Sequence, residues 1–464
     1  MRTRYLIFLL SLLMALTLSK AQISFKKIYP TNLIQSARDV LPTSDGGYFI
    51  AGTKTTSTGD SDIYMLKTNA YGDTLWTKRY GGAQPEYPYS MVATSDNNFF
   101  VVGYTKSYGA GGYDTWLLKL DQSGNLLWSK TYGTAANENG HEIVPTSDGN
   151  YVIVGLAGAD ASLTKIDLAG NVIWMKTYGG PQLDVGHSVK ECIDGGFILS
   201  GETFSYGMGN GDIYVLRTDP LGAITWTLTL GGPFEDEGAH VLANPDGTFM
   251  VDTKVNTSTA ESGFDVKLYK LNADGALNWV KTYGGNDKDI SHFMNSTSDG
   301  GYIIASTCRS FGWINPDMWL IRTNSSGDTL WTKHYGSWYH DHAYAVRQVA
   351  DGGFICIGHS ENSTAITQIM FVKTDGGGAV PVAEILGTKY AYNIYPNPSN
   401  GILNIEGINE LDSPLIHVRN SLGETLFSEE LKQSTVDLRK NPPGVYFVTV
   451  QAENKQFTKK IIIQ

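Results

Sequence analysis

The sequence predicts an all-β protein in which a seven-bladed β-propeller of four-stranded blades precedes a small C-terminal β-sandwich. A strand centred on tryptophan recurs at spacings of 52, 46, 52, 53 and 52 residues. An Asp-containing turn recurs seven times, and the repeat ends near residue 376. Self-similarity at this period is typical of propellers and solenoids. The recurring tryptophans are Trp76, Trp128, Trp174, Trp226, Trp279 and Trp331.

Residues 1–21 have the pattern of a secretory signal peptide. Arg2 and Arg4 supply the basic segment, residues 6–18 the apolar segment, and residues 19–21 a small-x-small cleavage site. The apolar run is shorter than the roughly 20 residues that a membrane-spanning helix needs. We therefore expect an exported chain without a transmembrane segment, with a propeller over 22–376, a linker over 377–391 and a sandwich over 392–464.

The charge balance disfavours nucleic acid and anionic membranes as partners. Without residues 1–21, 32 basic residues (35 minus 3) face 46 acidic ones, which leaves a net charge near −14. Such a chain repels phosphate backbones and anionic membranes, so nucleic acid is not an expected partner. Three cysteines are too few for a disulfide framework. Cys308 and Cys356 are either a disulfide or two buried thiols.

Each repeat unit contains four short strands. Residues 90–94 are typical of the first strand, 48–52 of the second and 114–120 of the third, and the tryptophan strand is the fourth. A tight turn joins the first two strands, and its glycine supplies the positive φ that such turns require. The turn recurs at Asp45, Asp96, Asp148, Asp194, Asp246, Asp299 and Asp351.

The last unit lacks its fourth strand. It has Val382 where a tryptophan is expected, whereas residues 23–29 align with the tryptophan strand and place Phe25 at its centre. We expect the N-terminal strand to complete the last blade beside residues 369–374. Such closure protects the edges of a propeller, whereas a solenoid would gain nothing from it.

The tryptophans have two interpretations. They could form a stacking platform for sugars or bases, or they could be buried between blades. Because they recur in nearly every unit on the strand expected to be outermost, we favour burial, which stabilises by about 2–3 kcal/mol per ring.

The two faces of the propeller differ. One carries the short recurring turns. The other, called the variable face below, carries the blade-to-blade connections and the loops between second and third strands. These loops span 52–62 in the first unit and 103–114 in the second, but only 155–160 in the third. Variable loops on a rigid scaffold usually bind ligands, so we place a site there, with a notch at the third blade.

An acid three residues before an aromatic residue or histidine marks the start of most first strands. His141, His187, His240 and His292 could ring a metal or an anion near the axis. Alternatively, each acid or ring satisfies loop backbone, which we favour because a repeated position usually serves the architecture. We expect no cofactor, and calcium has no supporting motif. The pairs are Glu86/Tyr89, Glu138/His141, Asp184/His187, Glu237/His240, Asp289/His292 and Asp341/Tyr344, with Gln35/Arg38 in the first unit.

The C-terminal module has about seven short alternating strands separated by turns, which predicts a β-sandwich. Its motif residues include Pro396, Asn397, Pro398, Gly401, Gly423, Gly444, Tyr446, Lys459 and Lys460. These motifs are similar to those of the type A C-terminal sorting domain of the type IX (Por) secretion system of Bacteroidota. The resemblance implies the secretion machinery as a partner and a secreted or outer-surface location. The propeller repeats also resemble repeats of secreted proteins in that phylum, which bring no known ligand.

Three functions are compatible with these features. The leading hypothesis is a binding propeller for a glycan, peptide or protein. The second is an enzyme, since the Asp121-to-Trp128 segment is similar to the tryptophan-docking motif of quinoprotein dehydrogenases; those have eight blades and a quinone and calcium site, neither of which is evident here. A propeller hydrolase would need a carboxylate cluster in one blade only. The third is a purely structural surface protein.

Overall fold

The computed structural model describes residues 22–56, 59–256, 263–311, 315–337, 339–380, 393–406, 415–420, 425–430, 434–452 and 455–464. The predicted signal peptide, Val382, Gly423 and most of the predicted linker lie outside these ranges. The chain divides into two compact units, residues 1–381 and 382–464. Within the described ranges, no helix has the length and apolar character needed to cross a bilayer.

The first unit contains seven four-stranded antiparallel sheets, as predicted. Each sheet is one blade, and strands follow each other in sequence order within it. β1 (Phe25–Tyr29) belongs to the last blade. The first three blades are β2–β5 (Gln35–Pro42, Tyr48–Thr55, Ser61–Thr68, Thr74–Tyr80), β6–β9 (Glu86–Ala93, Phe99–Thr105, Asp114–Leu120, Leu126–Tyr132) and β10–β13 (Glu138–Pro145, Tyr151–Ala157, Asp160–Ile166, Val172–Tyr178).

The remaining four blades have the same order. They are β14–β17 (Asp184–Glu191, Phe197–Thr203, Asp212–Thr218, Ile224–Leu230), β18–β21 (Asp236–Ala243, Phe249–Asn256, Phe264–Leu271, Leu277–Tyr283), β22–β25 (Asp289–Ser296, Tyr302–Cys308, Asp317–Thr323, Thr329–Tyr335) and β26–β28 (Asp341–Gln348, Phe354–Glu361, Thr367–Lys373) completed by β1.

The N-terminal strand closes the ring, as the sequence predicts. β1 pairs antiparallel with β28, with Phe25 opposite Lys373 and Tyr29 opposite Ile369. The first strands of successive blades also contact one another all the way round, from β2 through β6, β10, β14, β18 and β22 to β26 and back to β2. First strands therefore surround the axis, and the blades form a closed ring.

Hydrophobic cores lie between neighbouring blades. Between the first two blades, the fully buried Phe49 packs on Phe99, with ring centroids 4.4 Å apart, and Trp116 joins the same cluster. Second and third strands are buried on both faces because each sheet is covered by a blade on either side. The cysteines Cys192, Cys308 and Cys356 are buried free thiols, so the disulfide alternative is not realised.

The recurring tryptophans are half-buried on the outermost strands and pack on the next blade. Each covers a glycine of the neighbouring third-to-fourth-strand turn. Trp76 lies so close to Gly124 that a Cβ there would come within 2.3 Å of the indole. Phe25 covers Gly72 in the same way. The burial interpretation is therefore right for these rings, and Phe25 acts as the seventh member of the set.

The face that carries the short recurring turns has a salt bridge in every blade. The aspartate of the first turn pairs with a Lys or Arg of the third strand, whose stem is buried between blades. Lys119 binds Asp96 at 2.6 Å, with 8% of the lysine side chain exposed. The recurrence of this pair explains why the turn aspartate recurs. The other pairs are Asp45–Lys67, Asp148–Lys165, Asp194–Arg217, Asp246–Lys270, Asp299–Arg322 and Asp351–Lys373.

The propeller contacts continue a little past the predicted limit at residue 376. Tyr335 donates a hydrogen bond to the Gly378 carbonyl at 2.5 Å, and Trp331 covers the same glycine. Val380 packs against the core of the last two blades. The turn after β28 thus takes the same place as its six counterparts.

The second unit is a two-sheet sandwich. One sheet has the order β29-β30-β33 and the other β32-β31-β34-β35, and side chains from both form one core. Ile405, Val418 and Val448 are fully buried or nearly so within it. The strands are β29 (Asn393–Tyr395), β30 (Ile402–Glu406), β31 (Leu415–Asn420), β32 (Thr425–Glu430), β33 (Thr435–Asp437), β34 (Gly444–Ala452) and β35 (Lys455–Ile463).

Candidate functional site

The acids at the start of the first strands hold the blade-to-blade connections. Asp184 is fully buried and accepts a hydrogen bond from the Gly180 N–H at 2.7 Å, so its carboxylate closes the loop that enters the blade. Six blades share this bond between an acid and the backbone four residues earlier. The remaining pairs are Glu86–Gly82, Glu138–Thr134, Asp236–Gly232, Asp289–Gly285 and Asp341–Ser337. This repetition agrees with the structural interpretation of the acids.

The fifth blade corrects the alignment made from sequence. Its loop-closing acid is Asp236, not Glu237, so the third residue after it is Ala239 and His240 lies one position further on. Two consecutive acids left the choice open in the sequence, and the strand pairing decides it. Glu237 therefore points to the side of the strand opposite Asp236, since strand side chains alternate.

The four histidines do not form one ring. His141 and His187 stack with centroids 5.0 Å apart and planes 16° apart. His240 is buried at a different level, where its Nε2 lies 3.2 Å from Glu142. His292 contacts the Thr307 hydroxyl at 3.2 Å, and the same hydroxyl contacts His342.

Burial keeps these imidazoles neutral at neutral pH. It lowers the pKa of His141 to about 3 and the pKa of His240 to about 4. It also lowers the pKa of His187, and it holds the pKa of His292 well below its usual value.

A cluster of tyrosines with one arginine lies near the axis on the variable face. Arg38 takes the place that a ring takes in most other blades, and its guanidinium lies 4.7 Å from the Tyr87 ring centre and 4.0 Å from that of Tyr344. Tyr87 stacks on Tyr104 with centroids 5.7 Å apart and planes 7° apart, and Tyr89 packs beside both. We call these five residues the tyrosine–arginine cluster.

An acidic group occupies neighbouring blades four and five. Glu237 binds Lys254 through its Oε2 at 2.5 Å, while its Oε1 lies 3.8 Å from His187 Nε2. Glu202 lies beside them, and ligand atoms of His187, Glu202 and Glu237 all fall within 4.8 Å of one another. We call His187, Glu202, Glu237 and Lys254 the acidic group.

The pKa values of the two glutamates of the acidic group are shifted in opposite directions. Burial, together with the negative charge of Glu237, raises the pKa of Glu202 to about 8. Burial also acts to raise the pKa of Glu237, but the neighbouring His187 and Lys254 outweigh it and lower that pKa. Glu202 is therefore largely protonated at neutral pH, and Glu237 carries the charge.

Sequence reasoning missed Glu202 and Lys254. Both lie on second strands, one residue beyond the position where Gly201 and its counterparts pair with the first strand. The equivalent residues elsewhere include Tyr104 and Leu156, so a unit-by-unit alignment of second strands reveals the exception.

The third blade has the expected notch. β11 and β12 are joined only by Gly158 and Ala159, whereas residues 106–113 join the corresponding strands of the second blade. A cavity of about 130 Å³ lies where the second and third blades meet, with Tyr132, Glu138 and Leu156 among its lining residues.

Some sorting-motif residues hold the sandwich together, and others are exposed on its surface. Asn397 bridges the last strand, donating to the Lys460 carbonyl at 2.9 Å and accepting from the Ile462 N–H at 2.8 Å. Gly401 has φ +99° and lies against Arg439, where a Cβ would clash. Tyr446 is buried and donates to the Pro442 carbonyl. Other motif positions lie at Pro396, Pro398, Gly444, Lys459 and the exposed Lys460, while Gly423 lies outside the described residues.

Residues 393–464 match the model of the secretion system C-terminal sorting domain, the Por secretion tail. The match confirms the sorting domain expected from the motifs and indicates a secreted or cell-surface protein. An alignment of 111 positions, which covers 21% of this chain, shows 31% identity to the regulatory protein FlaEY of Caulobacter vibrioides. The same alignment covers 11% of FlaEY, so the chain matches about a tenth of its relative's length.

Solved structures with similar folds share little sequence with the chain. PorZ of Porphyromonas gingivalis, a surface component of the type IX secretion system, is 13% identical, with a TM-score of 0.43 over 92% of this chain and 59% of PorZ. The propeller domain of the trilobed protease of Pyrococcus furiosus is 10% identical, with a TM-score of 0.42 over 74% of this chain and 95% of that domain.

Proposed function

We propose that this protein is an exported binding propeller that recognises a carboxylate-bearing glycan through the tyrosine–arginine cluster on its variable face. The sorting domain supports delivery to the cell exterior. The observation that carries the binding proposal is Arg38, held between the rings of Tyr87 and Tyr344 at a position where most other blades carry a single ring.

The chemistry of the cluster suits an anionic sugar. Tyrosine rings offer flat apolar faces and hydroxyl groups, which stack on sugar rings and bond their hydroxyls. The guanidinium of Arg38 has donors in a planar fork that matches a carboxylate, and its Nε is buried without a hydrogen-bond partner among the described residues. The chain is acidic as a whole, so a local cation gives selectivity for one anionic group.

The size of the cavity between the second and third blades supports an extended ligand. The cavity of about 130 Å³ is smaller than the roughly 300–1,000 Å³ of pockets that enclose small molecules. A glycan that lies across the variable face could place one substituent there.

The test is a binding assay with the purified full chain on arrays of uronate-bearing glycans, neutral glycans and acidic peptides. We expect binding to uronate-bearing glycans, lowered about 10- to 100-fold by Arg38→Ala, because a hydrogen bond to a charged group contributes about 1.5–3 kcal/mol. Arg38→Lys should recover only part of the affinity, since it keeps the charge and loses the fork.

Lys130→Ala is the matched control, because it removes a positive charge from an outer strand, where Lys130 bonds the exposed Asn171 and lies over the Trp128 ring. Equal binding by Arg38→Ala and the parent, with both folded by circular dichroism, would contradict the proposed site. Selective binding of acidic peptides or of neutral glycans would contradict the ligand class.

A further inference from the structure

The acidic group brings together three side chains that are ordinary metal ligands. His187 and Glu202 come from the fourth blade and Glu237 from the fifth. One ligand atom from each lies within 4.8 Å of the other two. Metal–ligand distances of about 2.0–2.2 Å place bound donors roughly 3–4 Å apart, so small side-chain rotations would complete the set.

His187 points an unused nitrogen into this group. Its Nε2 is buried and has no hydrogen-bond partner among the described residues, and Glu237 Oε1 lies 3.8 Å away. The ring is held in place by stacking on His141. Buried polar atoms are normally satisfied, so an orphaned imidazole nitrogen beside two carboxyl groups calls for a ligand.

Negative charge exceeds positive charge around this nitrogen. Glu235 adds to the charge of Glu237, and Lys254 is a cation that faces both Glu237 and Glu202. Lys254 binds Oε2 of Glu237, which leaves Oε1 on the side of His187. A divalent cation between Glu202 and Glu237 would displace the Glu202 proton to solvent, and the two carboxylates would then balance its charge.

We propose that His187, Glu202 and Glu237 bind one divalent transition-metal cation, with Zn²⁺ as the best fit. An imidazole nitrogen favours Zn²⁺ over Ca²⁺ and Mg²⁺, which prefer all-oxygen sites. Three protein ligands leave a coordination position for water or a ligand group. Lys254 acts as the positioning residue that orients the Glu237 carboxylate.

The proposed site differs from a ring of four histidines and breaks the symmetry of the repeat. Of the four histidines, it uses only His187. The residues equivalent to Glu202 in the second and third blades are Tyr104 and Leu156, which are not ligands. A ligand set that spans two blades would also tie them to each other. The site is independent of the proposed glycan binding, because neither rests on a residue of the other.

Metal binding by the full chain would be measured by isothermal titration calorimetry with Zn²⁺, and Mn²⁺ binding by electron paramagnetic resonance. We expect one Zn²⁺ per chain and much weaker binding of Ca²⁺ and Mg²⁺. His187→Ala, Glu202→Gln and Glu237→Gln should each weaken Zn²⁺ binding by at least the roughly 10- to 100-fold that loss of an outer-shell partner costs.

His292→Ala is the matched control, since it removes another histidine near the axis that contacts Thr307 and supplies none of the three proposed ligand atoms. Its Zn²⁺ affinity should equal that of the parent. Thermal melting of each variant without metal identifies any variant that fails to fold. Glu202→Asp keeps the carboxylate and should retain part of the Zn²⁺ affinity. No saturable Zn²⁺ binding by the parent, or undiminished binding by a folded His187→Ala, Glu202→Gln double variant, would overturn the proposal.

Discussion

Asp252 is a buried carboxyl group in a position that other blades fill mostly with apolar or small residues. Asp252 lies on the second strand of its blade, opposite His240 of the first strand. The residues equivalent to Asp252 in other blades include Val102 and Val154. The Ser291 hydroxyl donates to Oδ2, while Oδ1 is buried without a partner among the described residues. Burial raises the pKa of Asp252 to about 8. Its ionisation in the folded state is therefore unfavourable.

We predict that the stability of Asp252→Asn relative to the parent increases as the pH is raised. The folded pKa of Asp252 lies above the unfolded value near 4, so its contribution to stability is complete below pH 4 and is lost as pH rises from 4 to 8. Asparagine does not ionise and avoids this loss. The unfolding free energy of the variant minus that of the parent, measured by chemical denaturation, should be larger at pH 8.5 than at pH 5 by about 1 kcal/mol or more.

Asp39→Asn is the control for this prediction. Asp39 is also buried, but it binds Arg347 at 2.8 Å and accepts the Met91 N–H at 2.9 Å. Removing its charge leaves Arg347 without its carboxylate, which should destabilise the protein by about 3 kcal/mol. An Asp252→Asn variant whose stability follows that of the parent at every pH would show that Asp252 is not protonated on folding.

The elements are joined by one repeated contact between blades. The aromatic residue of each fourth strand covers a glycine of the next turn, and in six of the seven blades a tyrosine four residues later donates to that glycine's carbonyl. Tyr178 donates to Gly222 at 2.8 Å, and Tyr29 of β1 donates to Gly72 at 2.8 Å. The glycine is needed both for its positive φ and for the approach of the ring.

We predict that Gly124→Ala destabilises the propeller more than Gly149→Ala does. Both glycines have positive φ, +71° and +81°, so an alanine at either costs about 1 kcal/mol in backbone strain. At Gly124 the new Cβ also meets the Trp76 ring at 2.3 Å, whereas nothing lies within 4 Å at Gly149. Overpacking should add about 1–3 kcal/mol, measured by urea unfolding. Equal losses would show that the indole moves away freely.

Across the whole propeller, the ring depends on a strand that is remote in sequence from its partners. Phe25 packs on Phe371 of the last blade, with centroids 5.1 Å apart, and on Tyr48 of the first, at 6.5 Å. It therefore contacts both blades that meet where the ring closes. Such closure joins the ends of the repeat and leaves no blade without two neighbours.

We predict that Phe25→Ala lowers the unfolding free energy of the propeller by about 2 kcal/mol, because the half-buried ring is removed from an interblade core. Amides of β28 should exchange with solvent faster as the closing strand opens. Ile28→Ala is the control on the same strand, since Ile28 is 37% exposed on the opposite face. Equal effects of the two variants in chemical denaturation and hydrogen exchange would mean that β1 does not hold the ring closed.

The sequence by itself determined the architecture, because the fold repeats. Seven copies of one turn, six tryptophans and Phe25 specify the blades and their closure, and local motifs identify the sorting domain. Errors in one unit are corrected by the other six. The same redundancy explains why the loop-closing acids could be interpreted as structural from their recurrence.

Only the tertiary structure decided the candidate sites. It showed that Asp236 is the loop-closing acid of the fifth blade and that Glu237 lies beside His187 instead. It also brought Glu202 into the same group from another strand. It also placed Arg38 between rings of two different blades. These groups depend on residues that depart from the repeat and meet across blade boundaries, and a contact between remote exceptions leaves no periodic pattern in the chain.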